Sequence, residues 1–222
     1  MLTTLVLAGA LLASPRVQAE KWDIKAGLMP SASVSYSISS AVSVGGEEHT
    51  ATFIYMFETK AAEQDKPLAA TLSWKDGTLE NGQSFPDTAW DVKLDSHGMI
   101  TDADGDETSK KTLMPFVFVY PDNAVAVGDT WSETVKGGSD KDDRSMTADM
   151  KADSMDKVGD VDVMKVTETL TQKGDDGLKC TGTWWVDKSG KVLKFDVTYS
   201  NWEVAMVPGQ MLDGHMTGSI AK

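Results

Sequence analysis

Met146-Thr147-Ala148-Asp149-Met150-Lys151-Ala152-Asp153 sets an apolar side chain at every second position. A period of two is what a strand produces when one face is buried and the other is wet. A helix of the same composition would scatter those methionines and alanines around its circumference. The stretch therefore predicts a strand with Met146 and Met150 on its core face, where the flexible thioether fills space. Working outward, the same signature recurs. Trp90, Val92 and Leu94 alternate, as do Leu68, Ala70, Leu72 and Trp74. Val34, Tyr36 and Ile38 alternate with Ser33, Ser35, Ser37 and Ser39, and Thr50 to Phe57 is rich in β-formers. Toward the C-terminus, Met164, Val166 and Leu170 hold the pattern and Glu168 interrupts it. Cys180, Trp184 to Val186, then Leu193, Phe195, Val197 and Tyr199 follow, with further strands at Trp202 to Met206 and near Met211 to Ile220.

Turn signals separate these runs: Gly45-Gly46, Lys75-Asp76-Gly77, Asp95-Ser96-His97-Gly98, Asp175-Asp176-Gly177 and Asp187-Lys188-Ser189-Gly190. Short alternating runs joined by Asp/Gly turns are the hairpin signal. Ala61-Ala62-Glu63-Gln64 suits one helical turn, and no stretch after the N-terminal segment shows a long helical period. The expected fold is all-β, an antiparallel meander forming a curved sheet, a sandwich or a partly open barrel. Val92 to Ile100 and Trp184 to Val192 both read as a strand end, Asp-x-x-Gly and a branched residue two positions later. That likeness suits an internal duplication over about residues 30–112 and 130–222. Independent use of a common hairpin turn explains it equally well.

Leu2 to Ala13 is uncharged and mostly apolar, and Val17-Gln18-Ala19 puts small residues where a signal peptidase reads. A run of this length is too short for a mature membrane span. Residues 1–19 are therefore expected to be a signal peptide cleaved after Ala19, leaving one exported β domain at 20–222, periplasmic or extracellular. The chain carries 34 acidic and 21 basic side chains, a formal net charge of −13. That balance argues against nucleic acid as a partner, because neutralising phosphates needs a basic face. The single cysteine, Cys180, excludes a disulfide scaffold and reads as a buried strand thiol.

Leu113-Met114-Pro115-Phe116 leads to Pro121-Asp122-Asn123-Ala124-Val125-Ala126-Val127-Gly128-Asp129-Thr130-Trp131. A proline, a short apolar strand and Val-Gly-Asp-x-Trp resemble an element of exported bacterial all-β proteins of unknown function. In those proteins the element sits between two sets of strands. The resemblance implies a β fold and export, and it brings no catalytic residue with it.

Candidate chemistry is sparse. Asp102, Asp104 and Asp106 form the densest acidic cluster, and oxygen-rich loops bind Ca²⁺. The spacing does not match an EF-hand, and a solvated turn is the competing reading. His49, His97 and His215 show no metal-ligand spacing and read as loop histidines. Met211, His215 and Met216 suggest a soft-metal site, against which stands the core role of strand methionines. No nucleophile elbow, zinc-helix motif or phosphate loop is present. A carboxylate pair for glycoside hydrolysis is not excluded by counting. Trp184 and Trp185 must point to opposite faces of one strand. The outward one, Trp185, is the candidate contact for a ligand such as a sugar ring. The expected function is non-enzymatic: an exported envelope protein binding an apolar or lipidic ligand within a curved sheet. The alternative is a glycan-binding or adhesive surface module using exposed Trp and Asp, and a carboxylate-dependent hydrolase ranks last.

Overall fold

The computed structural model describes residues 20–221 except 29, 45, 62, 64, 65, 140, 141 and 206–208. The expected signal segment, with Ala19, lies outside the described residues, as do parts of the Gly45-Gly46 turn and the Ala61–Gln64 turn. The strands are β1 (Ser33–Val44), β2 (Glu47–Thr59), β3 (Leu68–Leu79), β4 (Thr88–Leu94), β5 (Ile100–Ala103), β6 (Thr130–Val135), β7 (Gly138–Ser139), β8 (Asp142–Asp143), β9 (Met146–Val158), β10 (Val161–Gln172), β11 (Lys179–Asp187), β12 (Val192–Glu203) and β13 (Met211–Ile220). One helix, α1 (Glu107–Leu113), and 3-10 turns at Ile24–Gly27 and Met114–Phe116 complete the elements of the described residues.

Eleven strands form one antiparallel sheet, in the order β5-β4-β3-β2-β1-β13-β12-β11-β10-β9-β6, while β7 and β8 pair as a small ribbon. The sheet curls into a nearly closed barrel. The first and last strands of the described chain meet in mid-sheet: β1 pairs with β13, and Ala221 N donates to Ser35 O at 2.8 Å. The gap falls instead between β5 and β6, at mid-sequence, because the chain between them leaves the sheet.

That intervening chain fills the barrel. Met114 to Tyr120 is apolar at every position, without the alternation of a half-exposed strand, and every residue of it is buried. The Phe116 ring packs on Tyr55 at 4.9 Å, Trp74 at 5.6 Å, and Phe53 and Trp202 at 6.1 Å, so it touches both halves of the sheet. Phe118 packs on Tyr120 at 4.9 Å and Trp184 at 5.7 Å. This inner strap explains how one sheet layer buries so many aromatics.

At one end, α1 closes the barrel. The Asp106 carboxylate caps it, accepting from Ser109 N at 2.8 Å and Ser109 Oγ at 2.9 Å. Trp202 Nε1 donates to Thr112 O at 3.0 Å, and Thr112 Oγ1 donates to Glu203 O at 2.9 Å, docking the helix on the end of β12. Lys110 is buried, but its ammonium reaches Glu107 Oε1 at 2.9 Å and Lys136 O at 3.2 Å.

Four local expectations change. Lys75-Asp76-Gly77 is a bulge within β3, not a turn: the register slips opposite Thr52 and Ile54, and Asp76 takes φ 54°. Gly77 is required there, since a Cβ would lie 2.2 Å from the Phe85 ring. Trp202 continues β12 through a second bulge at Asn201, φ 54°. Asp106 begins a helix, which the sequence reading did not assign. His49 and His215 stand on strands, paired to Glu80 at 3.0 Å and Asp196 at 2.7 Å.

Candidate functional site

The two Asp-x-x-Gly turns are built alike. In each, the glycine N–H donates to the aspartate carbonyl, and one aspartate carboxylate oxygen accepts two later backbone N–H groups. Gly98 and Gly190 take φ 88° and 83°, a region that favours glycine. Tyr120 joins the two turns: its N–H donates to His97 O at 2.8 Å and its hydroxyl to Gly190 O at 3.2 Å. At Gly190 a Cβ would lie 1.8 Å from Ile24 O, so the 3-10 turn at Ile24–Gly27 sits directly on the second turn.

Between these turns, the strap and the sheet lies a cavity of about 330 Å³. Its wall is Ala32, Ser33, Val34 and Tyr36 at the start of β1, Tyr55 and Phe57 of β2, Trp184 of β11, Phe195 of β12, and Phe116, Val117, Phe118 and Tyr120 of the strap. Gly27, Leu28, Gly98, Ser189, Lys191 and Val192 complete the lining, and the exposed Ser189 and Lys191 mark its mouth, at the end of β12 away from α1. An apolar cavity of about 150 Å³ stays dry and takes up benzene, so this larger one has room for a small apolar molecule. Val34, Phe57 and Leu28 are only partly buried and lead from solvent to the interior. Lys191 is the one charged residue in the lining; it is exposed and forms no ion pair among the described residues.

Glu168 is the buried acid of the core. Its side chain points inward from β10 opposite Gly182, where the missing side chain leaves room for the carboxyl. Burial pushes its pKa up to about 8, against the lowering effect of the hydrogen bond from Trp184 Nε1 at 2.8 Å. Among the described residues no second carboxyl is buried with it, so the interior holds no acid pair for glycoside hydrolysis. Cys180 is buried nearby, and burial, with Glu168 adding to it, drives its thiol pKa well upward; an unreactive thiol results.

His97 sits in the first turn with Asp122 Oδ1 at 3.0 Å from Nε2 and Glu133 Oε2 at 3.3 Å from Nδ1. Among the described residues this is the group of metal-type ligands that comes together. The two carboxylates contact different ring nitrogens, and Lys25 Nζ shares Asp122 Oδ1 at 3.1 Å. The arrangement clasps the β4–β5 turn, the strap's end and β6 together across the gap in the sheet. The His97 contact, then that of Lys25, lowers the Asp122 pKa.

The other sequence candidates are placed apart. Asp102 pairs with Lys93 at 2.8 Å, Asp104 Oδ1 accepts from Asp91 N at 3.2 Å, and Asp106 caps α1. Each of the three serves a separate structural partner, and they do not appear together as a ligand group. Met216 is buried in the core while its neighbour His215 faces out, and Met211 is exposed with Sδ 3.5 Å from Lys111 Nζ. Those three do not converge. Trp185 faces outward, opposite Trp184. Its ring lies under Lys194 Nζ at 4.4 Å, and its Nε1 donates to Asp156 at 3.0 Å. The Val-Gly-Asp-x-Trp element anchors the strap to β6. Asp129 Oδ2 accepts Ala126 N at 2.9 Å, Gly128 takes φ 97°, and Trp131 Nε1 donates to Val119 O at 2.9 Å.

The cavity itself was not read from the sequence. Its available signal was the unbroken apolar run at Met114 to Tyr120, which in a sheet protein means cover on every side.

No family model matches the chain, and no curated protein matches it. Among solved structures, a Bacteroides fragilis protein named as an exported protein with YmcC-like fold is 10% identical, with 87% of this chain and 98% of that chain covered, at a TM-score of 0.33. The functional reading accordingly rests on the geometry of the cavity.

Proposed function

We propose that the chain is an exported, non-enzymatic protein that holds an apolar or lipidic small molecule inside its barrel. The observation that carries this is the apolar cavity of about 330 Å³ between the strap and strands β1, β2, β11 and β12. A cavity of that size lies within the range of ligand pockets, and its aromatic wall offers dispersion contact with few polar groups to desolvate. Export is supported by the apolar N-terminal run and the small residues ending at Ala19.

The test is native mass spectrometry of protein purified from its own host, compared with the Val34→Trp variant, which places a large side chain at the cavity mouth. The expected result is a co-purified apolar molecule in the wild type and none in the variant, with unchanged far-UV circular dichroism in both. A wild-type protein that carries no ligand and takes up no apolar probe would overturn the proposal. A bound sugar retained by the Val34→Trp variant and lost on Trp185→Ala would favour the surface-module alternative.

A further inference from the structure

We infer that the ligand is a single-chain amphiphile with an anionic head, a medium-length alkyl carboxylate, lying along the strap with its head at Lys191. This rests on the cavity reading above and adds the chemistry of the ligand to it.

Shape is the first argument. The wall runs along Ala32 and then Ser33, Val34 and Tyr36 of β1, and along Phe116, Val117, Phe118 and Tyr120 of the strap. Four residue steps of extended chain span ~13 Å. An extended alkyl chain lies along a wall of that length.

Charge is the second. The chain has an acidic excess of 13, yet the one charged side chain lining the cavity among the described residues is a lysine. Carboxylates close to the rim already serve local donors. Asp187 Oδ1 accepts from Ser189 N, Ser189 Oγ and Lys191 N, and Glu58 accepts from Ser33 Oγ. The neighbouring Lys188 is occupied by Glu20, and Lys25 by Asp122. Lys191 is left as an exposed ammonium beside an apolar slot, a combination complementary to a carboxylate on an alkyl chain. A cationic head would meet like charge there.

The experiment titrates the full chain with decanoate, decan-1-ol and decyltrimethylammonium below their aggregation limits, read by calorimetry and tryptophan fluorescence. Decanoate is expected to bind about two- to five-fold tighter than the alcohol, the size of an exposed ion pair, and the ammonium weakest. Lys191→Gln should bring decanoate down to the alcohol's affinity and leave the alcohol unchanged. Lys179→Gln, also exposed and without an ion pair among the described residues, should keep the preference. Equal binding of decanoate and alcohol, tighter binding of the ammonium, or a preference that survives Lys191→Gln overturns this inference and leaves the apolar cavity reading standing. Binding of none of the three overturns both.

Discussion

The indole nitrogen of Trp184 donates a 2.8 Å hydrogen bond to the carboxyl of Glu168 in the buried interior of the barrel. With one donor and no cation beside it among the described residues, the carboxyl is stable there mainly in its neutral form. An unfolded chain releases this proton near 4.5, and the folded chain holds it up to about 8. Between those values the folded state binds more protons. The stability contribution is therefore complete below pH ~4.5, falls by roughly 1 kcal/mol per unit as pH rises, and is lost above about 8. Urea midpoints at pH 5, 6.5 and 8 should decline for the wild type. Glu168→Gln keeps an acceptor for Trp184 and should flatten the series, ending more stable than the wild type at pH 8. An undiminished slope in the variant would place the titration elsewhere.

Trp184 and Trp185 stand on opposite faces of β11, and their loss should differ accordingly. Trp184→Ala removes ring contacts with Phe118 and Phe195 and leaves Glu168 without its donor. A cost of about 3–5 kcal/mol is expected, measured by urea unfolding. Trp185→Ala removes a partly exposed ring and its bond to Asp156, and should cost about 1 kcal/mol or less. Comparable losses would mean that the outer face is covered in solution.

Tyr55 buries its hydroxyl without a hydrogen-bond partner among the described residues, while its ring packs on Phe116 and Tyr36. Tyr55→Phe keeps the ring and removes the unpaired group. The expected outcome is unchanged or higher thermal stability, by up to about 1 kcal/mol. A loss larger than that would show the hydroxyl to be engaged.

Gly190 combines φ 83° with backbone contact, since a Cβ would lie 1.8 Å from Ile24 O. Gly105 shares the left-handed conformation, φ 72°, but faces open space. Gly105→Ala should therefore cost about 1 kcal/mol, the conformational penalty alone. Gly190→Ala should cost about 2–4 kcal/mol, because the Ile24–Gly27 turn must move as well. It should also weaken uptake of an apolar probe, as Gly27 and Leu28 line the cavity. Equal costs at the two glycines would mean that the N-terminal segment is not seated on the barrel.

Much of the sheet was legible from side-chain alternation. Met146, Ala148, Met150 and Ala152 are all buried, and their intervening partners face out or lie at intermediate depth. The two Asp-x-x-Gly turns were legible because their carboxylates satisfy backbone donors within four residues, a local interaction. The bulges at Asp76 and Asn201 were not, since Lys75-Asp76-Gly77 has turn composition and only the partner strand shows the pairing to continue. Glu168 was visible as a break in an apolar register, but not as a buried acid. That depends on Trp184 and Gly182, which lie more than a dozen positions away.

By itself, the sequence determined that the chain forms antiparallel strands, which face of each is apolar, and where most hairpins turn, because period-two burial and turn chemistry act over a few residues. Only the tertiary structure decided that the sheet curls into a nearly closed barrel with its gap between β5 and β6, and that Met114 to Tyr120 runs through the inside. It also decided that His97 reaches Asp122 and Glu133, and that a cavity lies beside the strap with Lys191 at its mouth. Each of these is set by contacts between residues far apart in the chain, where volume, shape and charge must be satisfied together and no local pattern records the outcome.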